Sequence, residues 1–135
     1  MSTLIRAIAY VCIGVTLEVV YTGIKSFIVK KDKRLLGFTQ VWVMPIYALG
    51  AIFIFEPLHH QISDIHIIFR FLIYALIIFV LEYIFGLIFK LITGKCPWEY
   101  KGKWNIHGFI NLPHFPFWGI LGLLFEILHN YFIAL

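Results

Sequence analysis

Four apolar stretches, each long enough to cross a lipid bilayer, make up most of this chain and restrict the folds available to it. They cover residues 4–29, 38–55, 65–92 and 112–135. A spanning helix needs about 20 mainly apolar residues, and it satisfies its own backbone hydrogen bonds. Of the 135 residues, 61% are hydrophobic and 13% are charged. This composition excludes a soluble domain and predicts an all-α, polytopic membrane protein with four transmembrane helices.

The four stretches form an internal repeat. A shift of 64 residues aligns one set of positions, Arg6 with Arg70, Tyr10 with Tyr74 and Glu18 with Glu82. A shift of 71 residues aligns a second set, Gly37 with Gly108, Phe38 with Phe109, Pro45 with Pro116 and Tyr47 with Trp118. We expect one membrane domain, 1–135, built from two helical hairpins at residues 1–57 and 65–135. Because each hairpin holds two spans, both have the same orientation, as parallel repeats about a pseudo-twofold along the membrane normal.

Each repeat carries a glutamate inside its first apolar stretch, Glu18 in one and Glu82 in the other. A carboxylate that faces lipid costs several kcal/mol, so both side chains should face protein. One interpretation is a polar functional site; the other is a protonated glutamate that hydrogen-bonds a neighbouring helix and holds the bundle together. The residues expected to form the binding site are Glu18, Glu82, Tyr47, Trp42, Trp98, Tyr100, Asn105 and Trp118. For an enzyme, Glu18 and Glu82 are the catalytic candidates.

The connection between helices is seven residues longer in the second repeat, because Glu18 precedes Gly37 by 19 residues and Glu82 precedes Gly108 by 26. The extra residues fall within 96–105, where Trp98 alternates with other aromatic residues and lysines. Such a segment is typical of an interfacial anchor. The alternative is a re-entrant cytoplasmic lid before the last helix.

Nine of the 11 basic residues lie near the end of the first and third spans or in the connections that follow them. The positive-inside rule therefore places both connections in the cytoplasm and both termini outside, with the bacterial inner membrane as the expected location. Anionic lipid headgroups are the expected partners of Lys25, Lys30, Lys31, Lys33, Arg34, Lys95, Lys101 and Lys103. The bases flank spans and form no soluble basic surface, so we expect no nucleic-acid partner.

No metal or cofactor is expected. The six histidines lack the spacing of a zinc or diiron site, and the adjacent His59 and His60 after Pro57 are expected in a solvated loop. The sequence has no phosphate-binding loop and no nucleophile elbow.

Several motifs resemble a known family. They are Gly14–Tyr21 (GVTLEVVY), Gly37-Phe38 followed by Pro45-Ile46-Tyr47, Leu81-Glu82, and Pro97-Trp98-Glu99-Tyr100 followed by Asn105, Gly108 and Trp118. In order and spacing they resemble the bacterial family of CmpB-type ABC-transporter membrane proteins, which is similar to the animal transmembrane protein 229 family. The chain departs from the family at Glu99, where aspartate is usual, and at Lys101, where bacterial members often have serine. The resemblance implies a transport role, with any ATPase on a separate subunit.

Three functions remain open from the sequence. The leading hypothesis is a small permease-type protein with an intramembrane polar site on Glu18 and Glu82. The alternatives are a membrane enzyme that acts on a lipid or amphiphile at the cytoplasmic interface, and an assembly or scaffold subunit of a membrane complex. A homodimer is a further expectation, because a four-helix bundle from one chain has few places to bury Glu56, Glu126 and the polar residues of the first and third helices. A stable homodimer would count against the assembly subunit.

Overall fold

The computed structural model describes the whole chain, Met1–Leu135, and confirms the all-α membrane class. Four helices are long and apolar enough to cross a bilayer: Thr3–Lys30, Val43–Ile62, Ile67–Thr93 and Leu112–Ala134. The chain divides into two compact units, Met1–Ile54 and Phe55–Leu135. The parallel repeat and the re-entrant segment stay predictions.

The first helix, α1, runs from Thr3 to Lys30 and has a defined start and end. The Ser2 hydroxyl accepts the Ile5 N–H at 3.4 Å and caps the first turn. The helix stops where Lys31 adopts a left-handed conformation with φ 55°. Just beyond, the Asp32 carboxylate accepts the backbone N–H and the guanidinium of Arg34, and these bonds lower the pKa of Asp32.

The second helix begins with α2, Val43–Gly50, five residues later than the sequence window predicted. The prediction of a start at residue 38 is wrong because Pro45 has no N–H. Proline fits the first turn of a helix, where the N–H has no intrahelical partner, but it breaks a helix interior. Residues 38–42 are instead non-helical.

The second helix also continues past residue 55, where the predicted window ended. A π-helical turn, Ala51–Phe55, leads into α3, Glu56–Ile62. Pro57 at the start of α3 cannot donate to the preceding turn, and a local π turn is one way in which membrane helices satisfy the backbone groups that a proline frees. The expectation of a solvated loop at His59 and His60 is therefore wrong, since both residues are helical and His59 is buried.

The third and fourth spans pack together in the second unit. Helix α4, Ile67–Thr93, is capped by the His66 imidazole, which accepts the Ile68 N–H at 3.3 Å. A short 3₁₀ turn, Leu112–His114, precedes α5, Phe115–Ala134. A Cβ placed on Gly122 of α5 would lie 2.3 Å from the Tyr74 Cβ, so the two backbones approach closely. Small residues at such crossings are typical of membrane helices.

A compact loop joins α4 to the last span. It contains a two-stranded antiparallel hairpin, in which β1, Asn105–Ile106, pairs with β2, Ile110–Asn111. The Leu112 N–H donates to the Trp104 carbonyl at 2.9 Å, directly beside the hairpin. These bonds give a defined structure to the second connection, which is seven residues longer than the first. The loop thereby places its own side chains against α4.

Candidate functional site

The Glu18 carboxylate accepts two hydrogen bonds from uncharged hydroxyl groups of its own unit. The Tyr47 hydroxyl donates to Oε1 at 2.9 Å, and the Thr39 hydroxyl donates to Oε2 at 2.5 Å. Tyr47 lies on α2, whereas Thr39 lies in the non-helical stretch before it. The half-buried carboxylate thus ties together three segments: α1, α2 and their connection.

Glycine permits the approach of Tyr47 to α1. A Cβ placed on Gly14, one turn before Glu18, would lie 2.6 Å from the Tyr47 ring. The ring therefore occupies the space of the missing side chain and aims its hydroxyl at Glu18. Tyr47 orientation thus depends directly on the absence of a side chain at this position.

Thr39 is held by a second anchor on α1. The Thr22 hydroxyl accepts the Phe38 N–H at 2.8 Å and lies 2.9 Å from the Phe38 carbonyl oxygen. Gly37 passes so close to α1 that an added Cβ would lie 2.0 Å from the Val19 carbonyl oxygen. The connection is thereby fixed along α1 at the depth of Glu18.

The Glu82 carboxylate has a related arrangement in the second unit. Oε1 accepts the Tyr100 hydroxyl at 2.8 Å, and Oε2 accepts the Trp118 indole N–H at 3.1 Å. As at Glu18, one donor comes from the following connection and one from the next spanning helix. Trp118 occupies the position that aligns with Tyr47 in the sequence repeat, whereas Tyr100 belongs to the longer connection and has no counterpart at Thr39.

Backbone bonds within the loop position Tyr100. Its N–H donates to the Gly108 carbonyl at 2.9 Å, and the Gly108 N–H donates to the Asn105 side chain at 2.8 Å. Gly108 has φ 77°, a conformation that favours glycine. The Trp98 indole donates to the Phe109 carbonyl at 3.2 Å. Asn105 and Trp98 therefore act on the loop backbone, and Tyr100 is the loop residue that contacts Glu82.

The loop packs on α4 next to Glu82. A Cβ on Gly86, one turn after Glu82, would lie 2.9 Å from the Phe109 ring. The Lys90 ammonium lies 5.6 Å from the centre of the same ring, within cation–π range. The buried Cys96 thiol near the start of the loop has a raised pKa, mainly because burial disfavours the thiolate.

The remaining predicted site residue, Trp42, precedes α2 and is 53% exposed. The sequence analysis did not name Thr39, although it lies in the connection that aligns with the loop after α4. It also missed a polar cluster around His59 and Glu126 in the second unit. The sequence repeat could have indicated this cluster. Arg70 and Tyr74, which both contact Glu126, align with Arg6 and Tyr10 of the first repeat.

The four apolar helices, with polar groups held inside them, define an integral multi-pass membrane protein. The chain belongs to the family described as "Putative ABC-transporter type IV", whose family model matches residues 6–134. The match confirms the family that the sequence motifs indicated, and its name relates the chain to ABC transporters. No solved structure matches the chain significantly.

Proposed function

We propose that this chain is the membrane subunit of a transport system, in which Glu18 and Glu82 each form an intramembrane polar binding site. The observation that carries the proposal is the repeated arrangement of donors. Each carboxylate accepts one bond from the next spanning helix and one from the connection that leads to that helix. Membership of an ABC-transporter-type family supports a transport role over the other functions considered.

The two kinds of donor suggest how such a site works. Tyr47 and Trp118 are held by helix packing, so their bonds keep the carboxylates oriented. Thr39 and Tyr100 belong to connections, so they can move away without separating the helices. A substrate donor or a cation then takes the place of the hydroxyl, or the carboxylate takes up a proton. In this mechanism the loop with Trp98 moves together with Tyr100 and acts as a lid.

The proposal places ATP hydrolysis on a separate subunit, because the sequence contains no phosphate-binding loop. The lysine-rich connections then face the cytoplasm, where an ATPase and anionic headgroups are both available. We place the protein in a bacterial inner membrane with both termini outside, and a homodimer fits this arrangement.

The test is ATP hydrolysis by the complex purified from native membranes through a tag on this chain. We expect an ATPase subunit to copurify with ATP hydrolysis that candidate substrates stimulate. Glu18→Gln and Glu82→Gln should abolish the stimulation while the complex stays assembled. Tyr131→Phe, at a 61% exposed position on α5, is the control and should behave as the unmodified protein. A chain that purifies as a stable homo-oligomer without ATPase activity would contradict the proposal.

A second function, assembly of a membrane complex, is favoured by another property of the same hydrogen bonds. Each carboxylate joins three segments of its unit and thereby has the geometry of a structural crosslink. In that case Glu18→Gln and Glu82→Gln lower the thermal stability of the purified chain and leave substrate-stimulated ATP hydrolysis intact in the fraction that remains folded. The two functions therefore predict opposite results in the same pair of measurements.

A further inference from the structure

A second polar cluster lies in the Phe55–Leu135 unit, near the end of α4 opposite to the loop. The Arg70 guanidinium contacts Glu126 Oε1 at 2.9 Å, and the Tyr74 hydroxyl donates to Oε2 at 2.8 Å. His59 Nδ1 lies 3.5 Å from the same Oε2. The Glu126 carboxylate is thus held between a guanidinium, a phenol and an imidazole, within apolar spans.

The groups around the His59 ring provide a hydrogen-bond partner for each of its two nitrogens. Nε2 lies 3.2 Å from the Asn130 side-chain oxygen, and Nδ1 lies 3.2 Å from the Tyr74 oxygen. Tyr74 directs its only hydroxyl hydrogen at Glu126, so its oxygen presents lone pairs to Nδ1. Both ring nitrogens therefore face hydrogen-bond acceptors. With the Asn130 amide in this orientation, a ring with hydrogen on both nitrogens can donate to both acceptors.

We propose that His59 is a proton-binding site inside the membrane, which binds and releases a proton at Nε2 through rotation of the Asn130 amide. In the loaded state Nε2–H donates to the Asn130 oxygen. On release, the amide turns and its NH₂ group donates to the bare Nε2. The Nδ1–H bond to the Tyr74 oxygen is kept in both states. The released proton leaves as the only product, so no other reactant is required.

Charged and titratable groups face His59 from every helix packed against it. They are His60 on α3, Tyr74 on α4, and Glu126 and His129 on α5. Arg70 and Glu56 lie one contact further away, on Glu126 and His129 respectively. The anionic Glu126 stabilises the loaded ring. His129 Nδ1 lies 3.3 Å from Glu56 Oε1, and its ring centre lies 5.3 Å from that of His59, so a second imidazole–carboxylate pair adjoins the site.

An exposed histidine connects this cluster with the surface. The His60 ring centre lies 5.8 Å from that of His59 and 5.3 Å from that of His129. His60 lies two residues before the end of the second span, beside the short connection without lysines. His60 therefore offers a route for protons between this cluster and the membrane face at the connection 63–66.

This inference is independent of the proposed transport function, since it rests on different residues. The test is ¹⁵N NMR of the full chain in lipid nanodiscs, with ¹⁵N-labelled histidine and the His59 signals assigned through His59→Gln. As the pH is raised, we expect one transition from a ring with two N–H groups to a ring with hydrogen on Nδ1 alone. A His59 ring that stays permanently neutral or permanently charged as the pH is raised would overturn the proposal.

Two variants at contacting residues should move the transition in opposite directions. Glu126→Gln removes the adjacent negative charge and should move the midpoint to lower pH by about one unit or more. Asn130→Asp adds a negative charge at Nε2 and should move it to higher pH by a similar amount. His66→Asn, at the exposed cap of α4, is the control and should leave the His59 midpoint unchanged. A His59 midpoint that is unchanged in both Glu126→Gln and Asn130→Asp would also refute the assignment.

Discussion

Trp118 donates its indole N–H to the Glu82 carboxylate across 3.1 Å, and this bond joins α5 to α4. We expect Trp118→Phe to lower the free energy of unfolding by about 1–3 kcal/mol, because phenylalanine keeps an aromatic ring but leaves a carboxylate oxygen without that donor. Denaturant unfolding of the purified chain in detergent measures the change. Trp104→Phe, at a 58% exposed position in the loop, is the matched control and should change stability by less than about 0.5 kcal/mol.

The hydroxyl of Tyr47 should be coupled energetically to Glu18. Tyr47→Phe removes the donor at 2.9 Å and keeps the ring against Gly14. In a double-mutant cycle with Glu18→Leu, which removes both acceptor oxygens, we expect a coupling energy of about 0.5–3 kcal/mol. Additive effects, within about 0.3 kcal/mol, would show that the hydrogen bond does not form in the membrane.

Close helix contacts at glycine should make two positions sensitive to a single methyl group. A Cβ at Gly14 would lie 2.6 Å from the Tyr47 ring, and a Cβ at Gly122 would lie 2.3 Å from the Tyr74 Cβ. We expect Gly14→Ala and Gly122→Ala each to lower the free energy of unfolding by about 1–3 kcal/mol through overpacking. Gly94→Asn is the control, because Gly94 has open space around it and asparagine tolerates its φ of 83°.

Cysteine labelling should report the orientation of the chain. In a variant without Cys12 and Cys96, we expect Lys33→Cys and Lys103→Cys to react with a membrane-impermeant maleimide only after the cytoplasmic side is exposed. Asp64→Cys, in the connection after α3, should react from the outside of intact cells. All three positions are exposed, so accessibility does not bias the comparison. The reverse pattern would show that the lysine-rich connections lie outside.

Cys96 should react slowly with thiol reagents at neutral pH. Burial raises its pKa, so the thiolate fraction is low near pH 7 and increases as the pH approaches the raised value. We expect alkylation about tenfold slower than that of Lys103→Cys in a Cys96→Ser background, with a rate that still increases above pH 9. Equal rates at pH 7 would mean that the loop opens readily and exposes the thiol.

Much of the fold was predictable from the sequence because apolar length and spacing determine where helices cross a bilayer. The second span was placed wrongly at both ends because hydropathy alone does not weigh Pro45 or the polar residues Glu56 and His59. Pro45 sets the helix start through its missing N–H. Glu56 and His59 continue the helix because polar side chains from other helices pair with them, and a single-segment hydropathy window contains no such information.

The candidate site was only partly predictable for a similar reason. The alignment of the two repeats pairs Glu18 with Glu82 and Tyr47 with Trp118, so it indicated these four residues. It did not name Thr39, because its contact with Glu18 depends on the path of the connection along α1. Asn105 and Trp98 were expected in the site, but they bond the loop backbone and hold Tyr100 in place. Their binding role stays a prediction.

The spacing of Glu18 and its donors has a consequence for biosynthesis. Thr39 and Tyr47 follow Glu18 by 21 and 29 residues, so neither exists when the ribosome has completed the first helix. Protein synthesis adds about 5–20 residues per second, so between one and several seconds pass between the synthesis of Glu18 and that of Tyr47. During that interval α1 contains a group that costs about 2.5–3.5 kcal/mol near the bilayer centre if it is charged. We therefore expect α1 to remain at the translocon until the second helix emerges, so that both helices enter the lipid together.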